Sequence, residues 1–165
     1  MRLRRVIPGS LALLLSIILA ATLIGVVDVE AGANGGRPFT VVLSGDQEVA
    51  PAIGDKATTP GADGVAGSGV ATLTLNPGQQ EICYSFVVAD IQLPASLAHI
   101  HRGLAGANGP GVVTFVPPGT DGTSASCVAV DRALVKEIIQ HPERFYVNVH
   151  TPEFGAGALR GQISK

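Results

Sequence analysis

The chain has 165 residues, and its composition of 46% hydrophobic, 15% charged and 4% aromatic residues, with 21 Gly and 11 Pro, suits one domain of short strands joined by tight turns. Its formal charge is −2, with no basic cluster and no Trp, which excludes the electrostatic footprint and stacking platform of a nucleic-acid binder. So few aromatic rings also argue against a carbohydrate face built on stacking.

Residues 1–33 read as a secretory signal peptide. Arg2, Arg4 and Arg5 form a positive start, Leu11 to Val27 is an apolar run without charge, and Ala31-Gly32-Ala33 offers a small-residue cleavage site. An uncleaved anchor is the alternative, because the apolar run approaches the length that spans a bilayer. No cysteine near the cleavage site invites lipidation, and Arg4-Arg5 alone is too short to mark a twin-arginine route. The mature domain is therefore expected over residues 34–165, in the secreted, periplasmic or cell-surface space. Setting aside the three arginines and two acids of the leader leaves a charge of −3.

Phe39 to Ser44 is a first strand of β-branched character, followed by a turn through Gly45 to Pro51. Ile53 to Gly69, rich in Gly, Asp, Thr and Pro, reads as an exposed loop. Val70 to Leu75 alternates as a second strand. Asn76-Pro77-Gly78 supplies turn chemistry, so the run Glu81 to Val88 becomes its antiparallel hairpin partner. That run carries Cys83, and the strand-like run Thr123 to Val130 carries Cys127. Two cysteines without CxxC spacing, in an exported domain, most simply form one disulfide.

Ala98 to Arg102 reads as a strand. Gly103, Gly106, Gly109 and Gly111 then punctuate a loop, and no helix follows that would make it an anion cradle. Val112 to Val116 is a strand halted by Pro117-Pro118-Gly119. Asp131 to Gln140 is the one convincing helix, with Asp131 as N-cap, Leu134, Val135, Ile138 and Ile139 on one face, and Pro142 as its stop. His141 falls at its C-terminus and reads as a surface residue. Phe145 to His150 and Ala158 to Ile163 are the last two strands. The expected fold class is all-β: a Greek-key β-sandwich of seven to eight short strands, with one short helix and one disulfide.

Three of the four histidines lie in two of these strands. His99 and His101 flank Ile100, so both imidazoles share one strand face with Cα atoms ~7 Å apart. His150 ends the Phe145–His150 run. If the sandwich turns all three inward to a shared point, they make a three-imidazole metal site with an open position, chemistry that suits copper or zinc. The competing reading is a polar cluster in which Thr151, Asn148 or backbone carbonyls satisfy the rings. Arg160 could guide an anion toward the metal, or could be a structural ion pair with Glu48 or Glu153, which is the more usual fate of a lone arginine. Gln47 and Glu48 read as loop-capping groups. Neither paired carboxylates of a glycosidase nor a G-x-S-x-G elbow is present.

The motifs Leu43-Ser44-Gly45-Asp46-Gln47-Glu48-Val49, Gly69-Val70-Ala71-Thr72-Leu73, Cys83-Tyr84, Ala98-His99-Ile100-His101, Phe145 to Thr151 and Leu159-Arg160-Gly161-Gln162-Ile163 together resemble the CHRD domain family. The resemblance runs from Phe39 to the C-terminus. It implies an extracellular β-sandwich module and carries no agreed biochemical activity. A weaker likeness is to copper–zinc superoxide dismutases, which also place a His-x-His pair and a strand-ending Val-His on a sandwich, then a glycine loop leading to Arg. The bridging histidine, the zinc subloop and the final-strand cysteine of those enzymes have no counterpart here, and fold-level likeness does not establish chemistry.

The expected function is thus a non-catalytic extracytoplasmic binding or structural module with a candidate metal site at His99, His101 and His150. The alternative is a copper-binding protein or a copper-dependent, superoxide dismutase-like redox enzyme, in which Arg160 alone would gain a catalytic role. Catalysis is left open. The expected cofactor, if any, is copper before zinc. The expected partner is a protein or cell-surface component, with no nucleic acid, and a membrane only through an uncleaved leader.

Overall fold

The computed structural model describes residues 36–52, 54 and 66–165. The leader, its cleavage site and most of the 53–69 loop lie outside the described residues. The described residues form eight strands, β1 (Arg37–Ser44), β2 (Ser68–Asn76), β3 (Glu81–Ala89), β4 (Leu97–Arg102), β5 (Gly111–Phe115), β6 (Thr123–Ala129), β7 (Phe145–His150) and β8 (Leu159–Gln162), with one α-helix, α1 (Arg132–Gln140), before β7. The expected loop ends slightly early, because Ser68 and Gly69 already pair within the β1–β2 ladder.

All pairings are antiparallel, in the order β5-β4-β7-β8-β1-β2-β3-β6. Between β8 and β1 the register is carried by one pair, Ser44 with Arg160. There the sheet folds over, and its two four-stranded halves face each other as a sandwich. The inward sets come from period-2 alternation: Phe39, Val41 and Leu43 on β1, Ala71, Leu73 and Leu75 on β2, Ile82, Tyr84 and Phe86 on β3, all buried. Rings close the gap between halves. Phe115 of β5 lies 4.4 Å from Tyr84 and 5.6 Å from Phe86, centroid to centroid, and the Tyr84 hydroxyl accepts from Val116 N at 2.9 Å. The return of β6 to pair with β3, past the β4–β5 hairpin, supplies the Greek-key connection.

Cys83 and Cys127 are register partners on β3 and β6 and are joined by a disulfide. It closes a loop spanning 44 positions and ties down an edge strand, worth ~4 kcal/mol in the chain-entropy account. The β2–β3 turn is braced by Asn76, whose Oδ1 accepts from Gln79 N at 3.1 Å. Helix α1 starts as its sequence requires: Asp131 Oδ1 accepts from Ala133 N at 2.8 Å. Val135 and Ile138 are fully buried, with Leu134 and Ile139 packed beside them, and His141 forms the C-cap at the surface.

Candidate metal centre

On β4, Ala98 and Ile100 are wholly buried in the core, so His99 and His101 take the opposite face. On β7, Phe145, Val147 and Val149 enter the core and leave Tyr146, Asn148 and His150 on the other side. The register sets His99 opposite Asn148, His101 opposite Tyr146, and Leu97 opposite His150. The three histidines therefore stand on the outer surface of their half of the sandwich, and the expectation that they point inward is corrected. The cause is competition for the interior. The alternate positions hold Ala, Ile, Val and Phe, whose burial gains more than that of imidazoles.

This outer surface is nevertheless covered, for every residue of β7 is buried. The β7–β8 loop contributes Gly155 and Ala156, the turn after β1 contributes Glu48, Pro51 and Ala52, and the β4–β5 loop contributes Asn108 and Gly109. The centre is thus a layer between sheet and loops.

Within it the three rings converge. One ring nitrogen from each of His99, His101 and His150 lies within 4.8 Å of the other two. Ring centroids are 5.4 Å apart for His99 and His101, and 5.2 Å for His99 and His150. His99 Nδ1 and His150 Nε2 are 3.3 Å apart, which equals the edge of a tetrahedron with metal–nitrogen bonds of about 2.0–2.1 Å.

The outward nitrogens of two rings are fixed by backbone. His101 Nδ1 donates to Gly109 O at 2.9 Å, and His150 Nδ1 donates to Gly155 O at 3.1 Å. Each bond commits the proton to Nδ1 and leaves Nε2 as the lone-pair nitrogen, the carbonyl–imidazole arrangement that orients metal-binding histidines. His101 Nε2 is buried and has no hydrogen-bond partner among the described residues. Burial, then the charge of the neighbouring rings, holds His99 below the ordinary imidazole range. Burial does the same for His150, partly offset by its bond to Gly155. A metal ion requires neutral rings, and burial favours that form at His99 and His150. The donor set fits copper or zinc bound by three nitrogens with a fourth position left over.

Around the three rings the packing is specific. The Tyr146 ring stacks on His101, 4.9 Å between centroids and 8° from parallel. Arg160 lies on the other side of Tyr146, its guanidinium carbon 3.4 Å from the ring centroid. Arg160 is 2% exposed and donates to Asn108 Oδ1 at 3.2 Å, Leu104 O at 3.1 Å and Ala107 O at 2.8 Å. It clamps the β4–β5 loop. Of its two expected acidic neighbours, Glu48 acts on it electrostatically, whereas no ion pair joins it to Glu153 among the described residues. Asn148 Nδ2 donates to the Glu48 carboxylate, pinning the β1 turn to β7. Thr151 serves its own turn, accepting from Phe154 N at 3.0 Å, so neither it nor Asn148 satisfies an imidazole. A cavity of about 220 Å³ adjoins His101, walled by Glu48, Ala52, Asn108, Tyr146, Asn148 and Ala156 among others.

Sequence spacing finds the three histidines but not the Gly109 and Gly155 carbonyls, which offer no side chain to read. In the fold an added Cβ at Gly109 would stand 1.6 Å from Arg102 O, so only glycine permits that approach, a constraint that the spacing of the loop glycines does not reveal. Helix α1, by contrast, joins the core and takes no part in the centre, and among the described residues no helix is long and apolar enough to cross a membrane.

No curated protein and no solved structure matches the chain. A family model described as the CHRD domain matches residues 39–163, which takes in every strand from the core of β1 to the end of β8 together with the three histidines, so the chain belongs to the CHRD domain family.

Proposed function

We propose that this chain is an exported, non-catalytic CHRD module that holds one copper ion through His99 Nδ1, His101 Nε2 and His150 Nε2. The observation that carries the reading is the pair of bonds from His101 and His150 to the Gly109 and Gly155 carbonyls, which leave Nε2 of both rings without a proton in a cluster where each ring brings one nitrogen within 4.8 Å of the other two. A cluster kept only for hydrogen bonding would have no use for a buried, unpartnered Nε2 on His101. Copper leads zinc because imidazole sites bind it more tightly along the first-row series. Export is supported by the leader motif and by the Cys83–Cys127 disulfide, which suits an oxidising compartment. The module's partner on this reading is a protein or cell-surface component.

The second reading, a copper-dependent redox enzyme acting on superoxide, is favoured by the cavity that reaches His101. Arg160 weighs against it, since its guanidinium is engaged by loop carbonyls and by Asn108. The test is ion content of the mature protein after loading with copper and with zinc, followed by gel filtration. One ion per chain is expected, falling to none in His99→Ala, His101→Ala and His150→Ala. A wild-type protein without a stoichiometric ion sinks both readings, and superoxide turnover by the loaded protein would favour the second.

A further inference from the structure

Asn148 stands in the middle of the histidine cluster. On β7 it lies opposite His99 and two residues before His150, and His101 is its diagonal neighbour on the same face, so its amide is within side-chain reach of all three rings. It is 3% exposed, and its Nδ2 donates to the Glu48 carboxylate. That bond assigns the two ends of the amide, because a carboxylate accepts and does not donate. Oδ1 is the end left over, buried and without a hydrogen-bond partner among the described residues. Arg160, its register partner on β8, could supply a donor, yet spends its guanidinium on Leu104 O, Ala107 O and Asn108 Oδ1. His101 Nε2 is in the same state, so one sheet face carries two buried lone-pair atoms without a donor. A buried acceptor is normally satisfied, and a cation satisfies both of these at once.

We propose that Asn148 Oδ1 is the fourth ligand of the metal centre and closes it as a site of three nitrogens and one oxygen. The proposal rests on the three-histidine reading above and deepens it. An amide oxygen is a weak axial ligand to copper beside imidazoles, and zinc takes an oxygen donor in a tetrahedral set. The bond from Nδ2 to Glu48 orients the amide as outer groups orient metal ligands. That role needs the hydrogen bond alone, so it holds with the charge of Arg160 also acting on Glu48. The cavity beside His101 opens to solvent, yet neither Asn148 Oδ1 nor His101 Nε2 is exposed to it. An open coordination position would face water, whereas these two atoms face protein. A centre filled by four protein ligands holds an ion in place, while catalytic centres keep a position for substrate. Asn148 thus separates a module that retains its metal from an enzyme that works with it.

The test uses the protein loaded with one metal at a time, its ion content measured on every sample. Zinc, which is diamagnetic, is added to isotope-labelled protein while the side-chain amide signals are followed. Ligation through Oδ1 is expected to move the Asn148 Cγ signal downfield by more than that of Asn108, whose Oδ1 is already taken by Arg160. Copper(II) is loaded separately and the relaxation of bulk water protons is recorded, because a water on the ion exchanges with solvent and speeds that relaxation. Asn148→Ala vacates the fourth position, so it is expected to keep copper and to relax water faster than the wild type does. An Asn148 signal that stays in place under saturating zinc, or a wild-type copper protein that relaxes water as fast as Asn148→Ala, overturns the fourth ligand while the three-histidine reading stands. If Asn148→Ala fails to fold once its bond to Glu48 is gone, the wild-type zinc spectrum decides alone. A wild-type protein that holds neither ion removes the three-histidine reading, and the fourth ligand falls with it.

Discussion

The Nδ1 of His99 stands 3.3 Å from the Nε2 of His150, and this pair couples β4 to β7 across 51 positions of chain. Because His150 commits its own proton to Gly155 O, the proton between the two rings belongs to His99. On the proposed reading a metal takes the lone pair of that same His99 nitrogen, so binding has to move the proton to His99 Nε2. Long-range nitrogen–proton spectra of the protein should show all three rings as Nδ1–H tautomers without metal. Zinc, chosen because it is diamagnetic, should convert His99 alone to Nε2–H. A spectrum in which His99 keeps its Nδ1 proton under saturating zinc would refute the assigned ligand atom.

The same burial makes the fold sensitive to acid. His99 and His150 are held below their ordinary value of 6.5 in the folded chain. The unfolded chain then binds more protons than the folded one as pH drops below 6.5, so stability is full above that value and falls as pH descends through the depressed values. Urea midpoints measured without metal should decline from pH 7 to pH 5 in the wild type. In His99→Gln and His150→Gln that slope should be shallower. Equal slopes in all three proteins would remove these rings as its source.

Much of this was legible in the sequence because it follows from period-2 alternation. His99 and His101 share a face with Ile100 opposed, the cysteines fall in strand-like runs, and Asp131 announces α1. The choice of face was not legible, since alternation puts the histidines together without saying which side meets the core. That choice is settled by Ala98, Ile100, Val147 and Val149 competing as a set for the interior. The supporting groups were hidden for a different reason. Gly109 O, Gly155 O and the Glu48–Asn148 bond depend on loops folding back over the sheet, and such contacts leave no local periodicity.

Two glycines whose carbonyls hold His101 and His150 should respond differently to one methyl group. At Gly109 an added Cβ meets Arg102 O at 1.6 Å, whereas at Gly155 nothing lies within 4 Å. Gly109→Ala should therefore shift the backbone, costing about 1–3 kcal/mol, and by moving the carbonyl behind His101 weaken metal affinity about 10–100-fold. Gly155→Ala should stay within about 0.5 kcal/mol of wild type. Chemical denaturation with a metal-competition titration checks both. Comparable effects from the two substitutions would mean that the close approach at Gly109 is not what positions His101.

Arg160 offers the sharpest separation between a scaffold and an enzyme. An anion guide works through charge at the mouth of a site, so lysine would largely preserve it. The role seen here is planar: one guanidinium spreads three hydrogen bonds over Leu104 O, Ala107 O and Asn108 Oδ1 while its face covers Tyr146. An ammonium cannot reproduce that fork or that stacking, and it would leave buried acceptors unsatisfied. Arg160→Lys should therefore destabilise the chain almost as much as Arg160→Met, each by about 2–4 kcal/mol. Hydrogen exchange should accelerate in the loop between β4 and β5, where the clamp is lost. A lysine variant as stable as wild type, with loop protection intact, would show that the charge matters and the geometry does not, and Arg160 would return as a candidate for guiding an anion to the metal.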